Sequence, residues 1–159
     1  MHITMTAVNA DTLAAAVADP QGAATLAEES SELDYHLSVD DAWHGVQYLL
    51  DAAEVEVSFR PEDLSAYAIG TAGVFGIPDD RAAVIESLLR ATPFDDLAAD
   101  FDGTELPDID PDITLDDPDA LALRAIDELV RYQLCHELLL EFFADATAAR
   151  CAVILSYSS

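Results

Sequence analysis

The stretch from Asp117 to about Ala149 constrains the fold of this chain more than any other. Asp117-Pro118 opens a helix, with proline where its missing N–H costs nothing. Leu123, Ile126, Leu129, Val130, Leu134, Leu138, Leu139, Leu140, Phe142 and Phe143 then wrap nearly all the way round it. A helix apolar on every side is expected to be central and buried. Ala152 to Tyr157, just after it, is a short apolar run that reads as a core strand.

The opposite end of the chain supplies a second strand. From His2 to Val8, Ile3, Met5 and Ala7 point one way while His2, Thr4 and Thr6 point the other, the period of a half-buried strand. Asn9 or Asp11 caps a short helix that Asp19-Pro20 ends, and a second short helix follows over about Ala23–Ser30. Ser38 and Asp41 read as a capping pair for the next helix, whose apolar face holds Ala42, Trp43, Val46, Leu49 and Leu50. Glu54 to Phe59 alternates and reads either as a strand or as part of a loop. Ala66 to Gly76, with glycines at 70, 73 and 76, reads as a strand and loop with tight backbone approach. Pro78-Asp79-Asp80 starts a helix that ends before Pro93. Residues 95–119, with ten aspartates and one glutamate, read as a long surface excursion with one turn of helix. The expected fold is α+β. A small, mostly antiparallel sheet of N- and C-terminal strands packs on several helices in one compact domain over residues 1–159.

Charge narrows the partners. Thirty-two acidic residues face six arginines and no lysine, for a formal net charge of −26. Such a surface repels nucleic acid and anionic membranes and admits a basic protein. Solvation in high salt, or a lysine-poor coding bias, would produce the same balance with no partner encoded. No run approaches the ~20 apolar residues of a membrane span, and Met1–Val8 has no secretory pattern. Cys135 and Cys151 suggest neither a disulfide framework nor a zinc site, and read as buried thiols in a reducing cytoplasm.

Three blocks resemble the YfbM-like proteins, a bacterial family of unknown function (domain of unknown function 1877). The most specific is Asp40-Asp41-Ala42-Trp43-His44-Gly45-Val46-Gln47-Tyr48-Leu49-Leu50. The opening strand with Leu13 and Asp19-Pro20 is similar to that family's start. Phe142-Phe143-Ala144-Asp145-Ala146 and Cys151-Ala152-Val153-Ile154-Leu155 are similar to its end. Asp41 stands where the family commonly has lysine, Gly70-Thr71 where it has a glycine pair, Phe143 where it has tyrosine and Arg150 where it has glycine. The resemblance implies an α+β fold and no activity.

His44 is the first candidate for chemistry. On a helix, Asp40, Asp41, Gln47 and Tyr48 lie three or four positions away, so an Asp-held His44 facing Tyr48 could act as a general base. No serine or cysteine nucleophile is identifiable beside it. The alternative is structural: His44 fixes the helix to a neighbouring loop, Trp43 sits in the core and Gly45 permits close contact. Cys135-His136-Glu137 cannot converge on a metal from consecutive helical positions, and a buried, hydrogen-bonded His136 is expected. Asp108, Asp110, Asp112, Thr114, Asp116 and Asp119 have calcium-loop spacing, but Ile113 replaces the required glycine and Pro111 sits inside the turn. The glycines at 70, 73 and 76 are not a phosphate loop, since no Gly-Lys-Ser/Thr follows. No metal and no cofactor is expected. The leading expectation is a non-enzymatic protein-binding or regulatory domain, one form of which is an immunity-type inhibitor of a basic toxin. The rival is a small hydrolase or transferase using His44, Asp40 or Asp41, and Tyr48.

Overall fold

The computed structural model describes residues 1–113 and 117–159. Strands from the two ends of the chain form its centre. β1 (His2–Val8) pairs antiparallel with β4 (Ala152–Ser158) along its whole length, from His2 opposite Ser158 to Val8 opposite Ala152. β2 (Leu37–Val39) flanks β1 and β3 (Val74–Ile77) flanks β4, so the antiparallel sheet runs β2-β1-β4-β3.

The alternation read in β1 decides which side chains enter which layer. Ile3, Met5 and Ala7 join Val153, Leu155, Phe75 and Ile77 in the main core. Val8, Val74, Ala152 and Ile154 bury on the other face, against α1 (Ala10–Ala18) and α2 (Ala23–Glu29). Asn9 caps α1, its Oδ1 accepting from the Thr12 N–H at 2.8 Å. The main face is covered by α3 (Trp43–Ala52), α4 (Asp79–Ala91) and α7 (Pro118–Ala148), with the single turns α5 (Phe94–Leu97) and α6 (Leu106–Ile109) between the last two. Trp43, Phe59, Phe142 and Phe143 fill this core. Burying each phenylalanine is worth ~1.5–3 kcal/mol of apolar transfer.

Three expectations are corrected and one open alternative is decided. Ser38 does not cap α3, because it pairs in the sheet opposite Thr4. No side chain caps α3 in its place, and Asp40 instead closes the turn ahead of the helix, its Oδ1 accepting from the Ala42 N–H at 2.9 Å. Glu54–Phe59 is the loop of the two readings, and the fully buried Gln47 stands in for a strand partner. Its amide donates to the Val57 carbonyl at 2.9 Å and accepts from the Phe59 N–H at 2.8 Å, satisfying backbone that would otherwise be buried unpaired. The acidic region is more than a surface excursion. Leu106 is fully buried, and with Ile113 and Ala125 it forms a small core of its own against α7. Finally, α7 is not buried all round. Leu139, Phe142, Phe143 and Ala146 enter the core, but Leu123, Ile126, Val130, Leu134 and Leu138 are exposed.

Both α3 and α7 end in the same reversal. After α7, the Cys151 N–H donates to the Ala146 carbonyl at 2.8 Å and the Arg150 N–H to the Thr147 carbonyl at 3.0 Å. This bond pair needs a left-handed residue at the turn, and Arg150 adopts it with φ 56°. Glycine is the residue without a side-chain penalty there. Arg150→Gly is therefore expected to raise stability by ~0.5–1 kcal/mol in denaturant titrations at high salt, where the lost positive charge matters least. An unchanged or lower midpoint would contradict that account.

Candidate functional site

Two regions hold the side chains with something to offer a ligand. The first is the start of α3. Trp43 turns inward, and its indole N–H donates to the Met1 carbonyl at 3.0 Å. The exposed His44 ring stacks on the Trp43 ring, centroids 3.9 Å apart, and makes no hydrogen bond among the described residues. Burial against Trp43, then the charge of the Met1 amino group, lowers the His44 pKa, while Asp41 acts in the opposite sense. His44 is thus neutral near pH 7.

Asp40 and Asp41 face Arg131 of α7. The guanidinium reaches Asp41 at 2.7 Å, Asp40 at 3.4 Å and Glu128 at 2.8 Å. Arg124 closes the chain of charges by binding Glu128 at 3.0 Å. The Ala42 N–H and Arg131 together hold the Asp40 carboxyl below its usual range. Partial burial works against the charge on Arg131, but Asp41, Glu128 and Asp40 outweigh it and raise its pKa. Tyr132 is buried beside them, and burial, then Glu128, pushes its phenol up, so it stays protonated. Asp41, His44, Asp110, Glu128, Arg131 and Tyr132 line an open cleft of about 230 Å³ together with Met1, Ile109 and Pro111. Among the described residues, this lining offers an imidazole able to accept a proton and holds no serine, threonine or cysteine to attack a substrate.

Tyr48 is not brought to this cleft. It lines a separate hollow with Leu97, Phe101 and Glu105. His136 is buried between α7 and the end of α4 and tilted against Phe94, with its Nε2 unpartnered among the described residues. Cys135 and Cys151 are buried free thiols, and burial pushes Cys135 up to about 12. Among the described residues no three or more His, Cys, Asp or Glu side chains are placed to hold a metal ion. Of the calcium-type positions, Thr114 and Asp116 lie outside the described residues, and the Asp110 carboxylate accepts from the Asp112 N–H at 3.1 Å.

The second region is the outer face of α7. Leu123, Ile126, Val130, Leu134 and Leu138 are 67%, 61%, 65%, 56% and 36% exposed, and their spacing of three and four residues aligns them along the helix. Asp127, Glu137 and Glu141 are exposed on the same side. At its C-terminal half the row borders β2. A cavity of about 290 Å³ lies between Ser38, Val39 and Asp40 on one side and Arg131, Leu134 and Leu138 on the other. A second, of about 460 Å³, continues it past Tyr35, His36 and Leu37. Sequence reasoning missed this row because it counted every apolar residue of the helix toward one buried surface. The available signal was the interleaving of acids with positions 123, 126, 130, 134 and 138, which a core face does not tolerate.

Residues 1–156 match the family described as a domain of unknown function (DUF1877), and the chain belongs to that family. No curated protein and no solved structure matches the chain. No helix among the described residues is long and apolar enough to cross a membrane.

Proposed function

We propose that this chain is a protein-binding domain whose partner is basic and whose binding face is the outer side of α7. The observation that carries this is the exposed row Leu123, Ile126, Val130, Leu134 and Leu138 on a 31-residue helix. Exposed apolar groups scattered singly are ordinary, but an aligned row rimmed by polar residues marks a recognition surface. The acids on the same side and the net charge of −26 favour a cationic partner and speed its encounter. An inhibitor that masks a basic enzyme is one form such a domain takes.

The competing reading, a small hydrolase or transferase, has the open cleft at His44 in its favour. Against it stand the lack of a nucleophile among the described residues of that lining and the separation of Tyr48 from His44. One comparison separates the two. The wild-type chain, immobilised at low salt, is expected to retain a basic protein from an extract of its source cell. A Val130→Glu/Leu134→Glu variant should lose that protein, and His44→Ala should keep it. Retention by the double variant, or loss in His44→Ala alone, counts against the α7 face. Both glutamates are placed at exposed positions, so folding is expected to survive them.

A further inference from the structure

We infer that the partner enters as an extended basic segment, adding a fifth strand to the outer edge of β2 with the α7 row as its apolar wall. This rests on the protein-binding reading above and specifies its mode.

β2 is an edge strand, paired on one side with β1 alone. Alternate backbone N–H and C=O groups of Leu37–Val39 therefore face outward, and they make no further backbone hydrogen bond among the described residues. Free edges are commonly blunted by being very short, as the three-residue β2 is, or by lysine, proline or a covering element. Leu37-Ser38-Val39 carries no lysine or proline, and what lies alongside it is a groove. The two cavities there share Ser38 and Leu138, so they form one trough running the length of the strand. One wall is β2 with the residues that flank it, Tyr35 to Asp40. The other is Leu134 and Leu138.

An extended peptide answers both walls at once. Its backbone continues the sheet, and its alternate side chains turn toward the leucines. A helix laid on the row would cover the leucines and leave the edge of β2 unpaired. Charge decides what the remaining side chains carry. Asp40 stands at one end of the trough and Glu141 at the other, while Arg131 is already bound to Asp41, Asp40 and Glu128. The uncompensated sign is negative, so lysine or arginine fits. A second copy of this chain would bring another −26 to the same surface and is disfavoured by repulsion.

The test uses the full chain and three synthetic probes of equal charge. They are a short peptide of alternating lysine and valine, the same peptide with alternate backbone nitrogens methylated, and a lysine–leucine peptide patterned as an amphipathic helix. Calorimetry at ~0.15 M salt, where surface attraction is largely screened beyond ~8 Å, reads affinity. Amide exchange reads the site. The extended peptide is expected to bind and to slow exchange within residues 37–39. Backbone methylation should weaken it about tenfold, and so should Leu138→Glu, even though that variant adds an attracting charge. Equal binding of all three probes, undiminished by Leu138→Glu, would mean electrostatic adhesion and overturn the inference. Preference for the helical probe, lost in Leu138→Glu, would overturn the strand mode and leave the α7 face as the binding surface. If no probe binds and sedimentation shows a dimer that Leu138→Glu dissociates, the occupant is a second copy and the inference fails. If no probe binds a monomeric chain, both the mode and the reading beneath it fail.

Discussion

Gly45→Ala is expected to destabilise this protein by ~2–3 kcal/mol, although the same change inside most helices is favourable by ~1 kcal/mol. The sign is reversed by one neighbour. A Cβ at position 45 would fall far inside van der Waals contact with the distal ring atoms of Tyr132. That ring has nowhere to withdraw. It is 2% exposed, its edge meets Phe101, and its hydroxyl lies by Glu128. Relief would have to come from separating α3 and α7, which carry Trp43, Leu49, Phe142 and Phe143 into the common core. For a chain of this length, ~2–3 kcal/mol corresponds to a melting temperature lower by roughly 4–12 °C. A double-mutant cycle identifies the cause. In a Tyr132→Leu background, where the ring is gone, Gly45→Ala should be neutral or stabilising. If Gly45→Ala costs the same in both backgrounds, the close approach of the two helices is not what position 45 protects.

The same contact shows how far the sequence could be read. Gly45 was legible as a place of close approach, but Tyr132, 87 positions away, was not legible as what approaches. β1, β4, α1 and the span of α7 follow from local signals: a period of two, a capping asparagine, an aspartate before proline. Each depends on residues a few positions apart. The site does not. Asp40 and Asp41 were read as partners for His44 because they lie one turn from it, whereas the structure gives both to Arg131, some ninety positions on. Gln47 looked like one more neighbour of His44, yet its amide holds the Val57–Phe59 loop in place of a strand. The outward face of α7 was the hardest. Both of its faces carry apolar residues, and only the acids interleaved along one of them, Asp127, Glu137 and Glu141, distinguish the face left outside from the one that β2, α3 and α4 cover.

Glu128→Gln is expected to lower stability by ~2–3 kcal/mol, even though it removes one negative charge from a chain carrying twenty-six in excess. Two electrostatic effects oppose each other here. Relieving self-repulsion favours the substitution, because every carboxylate feels the others across the surface. Losing the bridge between two guanidiniums disfavours it. Glu128 is 4% exposed, and its two oxygens are divided between Arg124 and Arg131. Arg131 in turn ties α7 to Asp41 at the start of α3. A cost of 3–5 kcal/mol is usual when one member of a fully buried pair is removed, but both arginines here are close to half exposed and can rehydrate, so a smaller loss is expected. Asp127→Asn separates the terms. Asp127 is the exposed neighbour on the same helix, and it makes no ion pair among the described residues. Its neutralisation should leave the denaturation midpoint unchanged or raise it, and the gain should fade with added salt as repulsion is screened. The loss in Glu128→Gln should persist at high salt, because a buried bridge is screened far less than the surface around it. Equal effects of the two substitutions, at low and high salt alike, would show that net charge governs this fold and the Arg124–Glu128–Arg131 bridge does not.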